Sequence, residues 1–299
     1  MTHNLKVTIG LCVKNAEKTI KETLRSIIEQ NFPRELMELI IVDGCSKDKT
    51  LSLIEKELLK ADMKSRIFIE NKGLGYARQI VANNATGDYI IWVDGDMILP
   101  RNFVKQQVEF MERNPKVGIA KGRYGIIKEN SIVANLENIE FVMTFSKQND
   151  TASMSLGTSG CIYRIGAINQ VGGFDENIKG VGEDTDIEYR IKTAGWNLCI
   201  SPAYFYERRR KTWHALWKEY FWHGKGAFYI YKKNPKTIIA PKMIPLIILI
   251  KKLIQIPYTY RLTRQKAAIL LPFHYIFKRT AWLFGFLTEY ISNLKANFM

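Results

Sequence analysis

The chain has 299 residues, of which 46% are hydrophobic and 24% are charged, and its formal net charge is +15. These values are ordinary for a globular protein and exclude disorder as the default state. The four cysteines stand far apart without any C-x-x-C pair, which argues against a zinc site or a disulfide framework and predicts reduced, mostly buried thiols in a cytosolic protein.

The positive charge is confined to the last third of the chain. Residues 1–206 contain 26 basic and 26 acidic residues, whereas residues 207–299 contain 18 basic and 3 acidic ones. We therefore predict a neutral globular domain over 1–206, a basic and aromatic connector over 207–236 that closes its site, and an apolar, basic, helical tail over 237–299.

Strand-like and helix-like patterns alternate along the first domain. The predicted elements in chain order are a strand at 7–13, a helix at 18–30, a strand at 39–42, a helix at 51–59, a strand at 66–69, a helix at 74–85, a strand at 89–93, a strand at 117–127, a helix at about 131–147, a strand at 157–165 and a helix that opens at 180–186 and runs to about Ala194. This alternation predicts an α/β fold with a mostly parallel central sheet and helices on both faces.

Polar and glycine-rich residues follow three of the predicted strands. They are Asp43–Asp48 after the second strand, Glu70–Gly75 after the third and Asp94–Asp96 after the fourth. Ligands of such sheets bind beyond the carboxyl ends of the strands, so the sequence predicts a site at this edge.

Asp94-Gly95-Asp96 puts two carboxylates at the end of an apolar strand. Two such charges repel each other unless a cation or a hydrogen-bonding ligand lies between them. A turn that only ends the strand is the alternative. We favour a site for a divalent cation, because Mg²⁺ and Mn²⁺ prefer carboxylate and phosphate oxygens.

Six elements, in order over about residues 5–200, resemble the family 2 glycosyltransferases, which have the GT-A fold. They are VTIGLCVKNAEKTI, IIVDGCSKDKT, NKGLGYARQ, DGD, GGFDENI and GEDTDIEYRIKTAGW. The chain departs from the family pattern at Cys12-Val13-Lys14 before Asn15, at Asp43-Gly44 in place of a double aspartate, and at Gln79 where asparagine is common. No Q-x-x-R-W motif follows the position that matches the family's catalytic aspartate, Asp184. The resemblance to processive polysaccharide synthases is therefore weak, and transfer of a single sugar is favoured.

The resemblance implies an inverting enzyme that moves one sugar from a nucleotide-diphosphate sugar to an acceptor hydroxyl or phosphate. Asp184 matches the general base, and Glu183 beside it is expected to bind the acceptor. Asp96 is expected to bind Mg²⁺ or Mn²⁺, with Asp94 contacting the ribose or assisting the metal. Asp186 is expected to serve only the N-terminus of its helix.

The resemblance also implies a set of residues that contact the nucleotide sugar. They are Asp43, Asn71, Gly73, Arg78 and Asp94. In addition, one residue of Arg208, Arg209, Arg210 and His214 is expected to reach the diphosphate or the metal. The stretch His223–Gly226 is interpreted as a helical turn, because it lacks the strand–loop–helix context of a phosphate loop.

The tail pattern predicts helices that lie on a membrane. Its apolar runs are shorter than the about 20 residues of a spanning helix, and Lys251-Lys252 and Lys278-Arg279 interrupt them. His274 and Lys278 are four residues apart and are expected on the face toward the headgroups. We therefore expect the protein at the cytoplasmic, anionic face of a membrane, acting on a lipid-linked or membrane-proximal glycan.

The sequence has features of two other kinds of protein. A sugar nucleotidyltransferase is disfavoured, because no glycine-rich loop with Lys or Arg follows the first strand. A nucleic-acid-binding protein would use Arg208–Lys211 and the aromatic residues after it, since basic and aromatic residues together suit single strands. Here, however, they precede apolar runs that contain Pro245, Pro257 and Pro272, so no nucleic-acid partner is expected.

Overall fold

The computed structural model describes residues 6–146, 155–178, 180–235 and 245–297, without the side chains of 245–248, 250–252 and 296–297. These residues form two compact units. The first contains 6–125, 155–178 and 183–208, and the second contains 126–146, 180–182, 209–235 and 245–297. The predicted boundary near residue 206 lies close to this division, but residues 126–146 group with the C-terminal part of the chain.

The described residues of the first unit contain one sheet of eight strands. The strands are β1 (Val7–Val13), β2 (Met37–Asp43), β3 (Lys64–Ile69), β4 (Tyr89–Asp94), β5 (Met97–Ile98), β6 (Val117–Tyr124), β7 (Cys161–Arg164) and β8 (Asn197–Glu207). Their order is β3-β2-β1-β4-β7-β6-β8-β5. Strands β3, β2, β1 and β4 are mutually parallel, as are β6 and β8, whereas β7 and β5 run antiparallel to their neighbours. The predicted α/β fold is confirmed.

The helices follow in chain order. They are α1 (Ile20–Ile28), α2 (Thr50–Leu58), α3 (Leu74–Asn84), α4 (Phe103–Arg113), α5 (Ile132–Thr144), α6 (Ile165–Gln170), α7 (Glu183–Thr193), α8 (Trp213–Lys233), α9 (Pro245–Thr263) and α10 (Leu271–Asn297). Short 3₁₀ turns cover Arg34–Leu36 and Lys266–Leu270. Helices α5, α8, α9 and α10 belong to the second unit.

The register of the central strands brings polar residues to one edge. All seven residues of β1 and of β2 are buried, as expected for parallel strands covered on both faces. Strand β1 pairs with β2 at Val13 and Asp43, and with β4 at Cys12 and Asp94. Asp43 and Asp94 therefore end their strands at the same edge of the sheet.

Strands β7 and β8 both differ from the sequence prediction. Strand β8 was not predicted, and its Pro202 lies where the pairing of β6 and β8 shifts register, between the pairs that end at Ile200 and resume at Tyr204. Proline is tolerated at such an irregularity, because no ladder donor is needed there. Strand β7 is shorter than the predicted 157–165, because Gly157 and Gly160 both adopt φ +66° in a turn before it.

Helices α8 and α10 pack at very short range in the second unit. A Cβ at Gly224 would lie 1.9 Å from the carbonyl oxygen of Trp282, and one at Gly285 would lie 2.0 Å from that of Phe221. Glycine at these two positions therefore allows the backbones to touch. The stretch His223–Gly226 lies inside α8, so its interpretation as a helical turn is confirmed.

A buried ionic cluster joins α10 to α5. Lys278 is 2% exposed, and its Nζ donates to Glu137 Oε1 at 2.6 Å and lies 2.8 Å from Glu140 Oε2. Burial alone would lower the pKa of Lys278, but Glu137 and Glu140 more than offset it, and the pKa is raised. His274 is also fully buried, 3.3 Å from an oxygen of each glutamate.

The prediction that His274 and Lys278 face lipid headgroups is therefore wrong. The two residues share a helix face, as their spacing predicts, but that face lies against two glutamates of α5. A buried charge is tolerated only where an opposite charge compensates it, and α5 supplies that charge. Lys242 and the side chains of Lys251 and Lys252 lie outside the described residues. Among the described helices, none is both long enough and apolar enough to cross a bilayer.

Candidate active site

The loops after β1 and β2 hold each other in place. Both carboxylate oxygens of Asp43 accept hydrogen bonds from Ser46, at 2.8 Å from its backbone nitrogen and at 2.6 Å from its hydroxyl. The backbone nitrogen of Asn15 donates to the Ser46 hydroxyl oxygen at 2.9 Å, and the Asn15 amide oxygen accepts from Lys47 at 2.8 Å. Asp43 is buried and organises this loop, while its contact with a nucleotide base stays a prediction.

The loop after β3 contains the predicted Asn71 and Gly73. Glu70 Oε2 accepts from the backbone nitrogens of Lys72 and Gly73, at 2.6 and 2.9 Å. Gly73 has φ +123°, a conformation that favours glycine, and immediately precedes α3. A cavity of about 470 Å³ opens here, lined by Asn71, Lys72, Tyr76, Glu176 and Asn177.

Asp94 is held from two sides at the end of β4. Its Oδ1 lies 3.3 Å from Arg78 Nη2, and its Oδ2 accepts a hydrogen bond from the Ser159 hydroxyl. The side chain keeps 29% of its surface exposed. Asp96 is partly exposed two residues later, and its carbonyl oxygen accepts from the backbone nitrogen of Arg208 at 2.9 Å.

Arg78 links the end of β4 to the start of α7. The side chain is 3% exposed, its Nε donates to Glu183 Oε1 at 3.2 Å, and its guanidinium lies 4.8 Å from the centre of the Trp92 ring. Arg78 was predicted to approach the nucleotide, and the structure puts it beneath Asp94 as a buried link between two acids. This link fixes the position of the Asp94 carboxylate relative to Glu183.

The first turn of α7 carries three acids in different environments. Glu183 is 2% exposed, whereas Asp184 is partly exposed and accepts from the backbone nitrogen of Thr185 at 2.6 Å. Asp186 is buried and paired with Arg190 at 2.7 Å, in keeping with a structural role. Of the three, Asp184 is the carboxylate most open to an incoming acceptor. The burial of Glu183 supports a positioning role through Arg78, and its contact with an acceptor stays a prediction.

The buried carboxyl of Glu183 makes the folding stability of the protein depend on pH. Burial and the charge of Asp184 raise its pKa from 4.5 to about 8, although Arg78 acts in the opposite direction. Between these two values the folded state keeps a proton that the unfolded state has released. Stability from this group is therefore complete below pH 4.5 and is lost as the pH rises through about 8.

We expect Glu183→Gln to flatten the fall in stability between about pH 5 and pH 8, because the variant removes one proton-linked group. Urea midpoints across this range measure the effect. Glu188 on α7 is also buried with its pKa raised to about 8, so part of the slope should remain. Glu109→Gln, at an exposed site on α4, is the matched control, and an unchanged slope in Glu183→Gln would contradict the assignment.

Three of the four candidate basic residues after β8 are engaged in ion pairs or ring contacts. Arg208 forms a two-pronged pair with Glu22 at 2.9 and 3.1 Å. In the second unit, the Arg209 guanidinium lies 3.8 Å from the centre of the Phe141 ring, and Arg210 Nε lies 3.0 Å from Glu219 Oε2. His214 is exposed. Of the four, Arg208 alone belongs to the first unit, and its backbone nitrogen bonds the carbonyl oxygen of Asp96.

Two residues behind Asp94 were not predicted from the sequence. Ser159 donates to Asp94, and Lys121 Nζ donates to the carbonyl oxygen of Ser159 at 2.7 Å. Ser159 lies in Gly157-Thr158-Ser159-Gly160, whose paired glycines are typical of a turn. Lys121 gave no signal, because a lysine within an apolar strand is usually expected at its solvated face.

Two groups of acids could be considered for a metal ion. Asp94 and Asp96 offer hard oxygen ligands at the sheet edge, with Asp94 oriented by fixed donors, and this donor set fits Mg²⁺ or Mn²⁺. In the second unit, ligand atoms of Glu137, Glu140 and His274 lie within 4.8 Å of one another. There, the Lys278 ammonium already bonds the carboxylates, and a second cation at that place would be repelled. We assign no metal to the second group.

Comparison with known proteins identifies the family. Residues 8–169 match the family described as glycosyl transferase family 2, and residues 89–295 match the related glycosyl transferase family group 2. The chain belongs to glycosyl transferase family 2. The six ordered motifs predicted this family.

Relatives and structures agree with this assignment. The chain is 24% identical over 264 residues to poly-beta-1,6-N-acetyl-D-glucosamine synthase of Staphylococcus aureus (strain COL). The matched region covers 85% of this chain and 62% of the synthase. Mannosyltransferase PcManGT from Pyrobaculum calidifontis, in complex with GDP-Man and Mn²⁺, superposes with a TM-score of 0.67 at 17% identity over 96% of this chain and 88% of that one. Staphylococcus aureus TarS 1–349 in complex with UDP-GlcNAc superposes with a TM-score of 0.55 at 16% identity. The superposition covers 96% of this chain and 92% of TarS 1–349. The chain has the GT-A fold that these neighbours share.

Proposed function

We propose that this protein is an inverting, metal-dependent family 2 glycosyltransferase that moves one sugar from a nucleotide-diphosphate sugar to an acceptor hydroxyl or phosphate. The observation that carries the proposal is the Arg78 link. One buried guanidinium contacts Asp94 at the strand end and Glu183 at the start of α7. A donor held at β4 and an acceptor held at α7 would thus meet in a fixed geometry, which is what group transfer requires.

In this proposal Asp184 accepts the proton of the attacking acceptor hydroxyl. One partly exposed carboxylate suffices for displacement at the opposite face of the sugar, which inverts the anomeric centre. Glu183, held by Arg78, would keep Asp184 and the first turn of α7 in place. The loops that contain Asp43, Asn71 and Gly73 would enclose the nucleotide.

Asp96 would hold the divalent metal, with Asp94 assisting it. When bound, Mg²⁺ or Mn²⁺ neutralises charge on the departing diphosphate as a Lewis acid. The GDP-Man and Mn²⁺ found with the mannosyltransferase neighbour support a donor and metal of this kind. The polymer made by the synthase relative leaves processive transfer as the rival to single-sugar transfer, and the length of the product distinguishes the two.

A donor panel tests the proposed function. UDP-, GDP- and dTDP-sugars are each mixed with the full-length protein, with Mn²⁺ or with EDTA, and hydrolysis and thermal stabilisation are measured. We expect one nucleotide class to stabilise the protein and to be hydrolysed slowly only when the metal is present. Failure of every donor, or equal effects in EDTA, would contradict the proposal.

We further propose that the second unit lies on the cytoplasmic, anionic face of a membrane and gives the enzyme access to a lipid-linked or membrane-proximal acceptor. Around the turn Lys266–Leu270, Ala268 and Leu271 pack against Leu136 and Ile139. On the outer side, Ile269, Leu270 and Phe273 are exposed. The exposed basic residues Arg261, Arg264 and Lys266 precede them, and this combination of apolar tip and basic flank suits an anionic bilayer surface.

Vesicle binding of the full-length protein is expected to rise with anionic lipid and to weaken in salt, because each nearby basic residue contributes about 1 kcal/mol. Replacement of Ile269, Leu270 and Phe273 by serine should reduce binding at every lipid composition. Flotation with phosphatidylcholine vesicles, with and without phosphatidylserine, measures both effects.

Leu59→Ser removes a strongly exposed apolar side chain of the first unit and is the matched control. Binding by the triple variant equal to that of Leu59→Ser would exclude this turn as the contact. Extraction that fails in high salt and in carbonate would favour embedded helices over a surface-bound tail.

A further inference from the structure

The orientation of the Asp94 carboxylate depends on residues that lie behind the sheet edge, and we call them its support. Of its two carboxylate oxygens, Oδ1 faces Arg78 and Oδ2 faces the Ser159 hydroxyl. A carboxylate oxygen has two lone pairs, so each oxygen keeps capacity for a further partner while its orientation is fixed. The neutral donor Ser159 orients Asp94 without adding a second positive charge beside it.

The turn that carries Ser159 is fixed by three neighbouring elements. The backbone nitrogen of Gly160 donates to the carbonyl oxygen of Trp92 on β4 at 3.0 Å. The Gly160 carbonyl oxygen accepts from the backbone of Gly122 on β6 and from Gln107 Nε2 on α4, both at 2.9 Å. A Cβ at Gly160 would lie 2.4 Å from the Phe205 ring, so no larger residue fits. The Ser159 hydroxyl is therefore presented from a rigid backbone.

Lys121 is the unusual part of this support. It is 1% exposed on β6, and its Nζ donates to the Ser159 carbonyl oxygen at 2.7 Å. Its ammonium also lies 5.1 Å from the centre of the Tyr124 ring and 5.7 Å from that of Phe205. Burying a cation is costly unless its interactions compensate it, and the hydrogen bond to Ser159 is the closest of these compensating contacts.

We infer that Ser159 and Lys121 are positioning residues for the donor and metal site: Lys121 fixes the Ser159 carbonyl, and Ser159 fixes the Asp94 carboxylate. This inference rests on the proposed function and names residues outside the motifs that identified it. Neither residue touches the reacting atoms. Their loss should weaken metal-dependent nucleotide binding more than it affects the chemical step.

Calorimetry on the full-length protein tests the inference, with UDP and GDP as probes, each titrated in Mn²⁺ and in EDTA. Ser159→Ala is expected to weaken Mn²⁺-dependent binding by about 10-fold, the loss expected for one hydrogen bond to a charged group. Binding in EDTA should change little. Ser159→Thr keeps the hydroxyl and should restore most of the affinity, and in turnover the donor KM should rise more than kcat falls.

Ser201→Ala is the matched control. Ser201 is a fully buried serine of β8 whose hydroxyl has no hydrogen-bond partner among the described residues. Wild-type affinity in Ser159→Ala, or an equal loss in Ser159→Thr, would overturn the role of Ser159.

Lys121→Met is expected to weaken binding in the same way, and a folded Lys121→Met with wild-type affinity would overturn the role of Lys121. If the wild type itself binds neither probe with Mn²⁺ and no donor of the panel, the proposed function fails instead.

Discussion

Asp184→Asn is expected to bind the nucleotide sugar as the wild type does while kcat falls by at least about 10²-fold, the lower range for loss of a general base. The asparagine amide cannot take the proton from the hydroxyl of the acceptor sugar or lipid, but it keeps the size and polarity of the carboxylate. Donor affinity from calorimetry and kcat from turnover at saturating donor separate the two effects. The partly exposed position of Asp184 at the start of α7 makes a gross folding defect unexpected.

Asp62→Asn is the control for this variant, since Asp62 is an exposed aspartate just before β3. Its kcat should equal that of the wild type. Normal turnover in Asp184→Asn would show that the base lies elsewhere. Because Asp186 is paired with Arg190, Glu183 would then be the first residue to replace.

Asp96→Ala is expected to abolish the part of nucleotide affinity that depends on the metal. The variant removes the carboxylate that is proposed to hold the metal, and Asp94, oriented by Arg78 and Ser159, only assists it. Calorimetry with UDP or GDP, whichever the donor panel selects, is run with Mn²⁺ and with EDTA. The variant should give the same weak binding in both conditions.

The control is Asp88→Asn, because Asp88 comes just before β4, whereas Asp96 follows the other end of that strand. Asp88 is exposed and accepts a hydrogen bond from the backbone of Lys6, which asparagine can also accept. This variant should keep the full effect of Mn²⁺. An Asp96→Ala protein with wild-type metal dependence would exclude Asp96 as a ligand.

The fold class and the edge of the sheet that carries polar loops follow from local patterns in the sequence. Strand β1 was predicted with its exact bounds, because a short apolar run that is rich in β-branched residues is typical of a buried strand. The helix that begins at Glu183 was predicted to within one residue of its end, because the acids of its first turn and the glycine after its last turn are local signals. The family assignment depended in the same way on short motifs in a fixed order.

Which acids are exposed and which charges are paired depends on contacts between residues that are far apart in the sequence. Glu183 and Asp184 are neighbours in sequence with the same kind of side chain, yet Arg78, 105 residues away from Glu183, holds one of them in the interior. Lys278 was expected at the surface because a helical pattern shows which residues share a face but not what that face meets. Glu137, 141 residues earlier, supplies the compensating charge. Ser159 and Lys121 were not predicted for the same reason. The partner that gives each residue its role is distant in the sequence, and only folding brings residue and partner together.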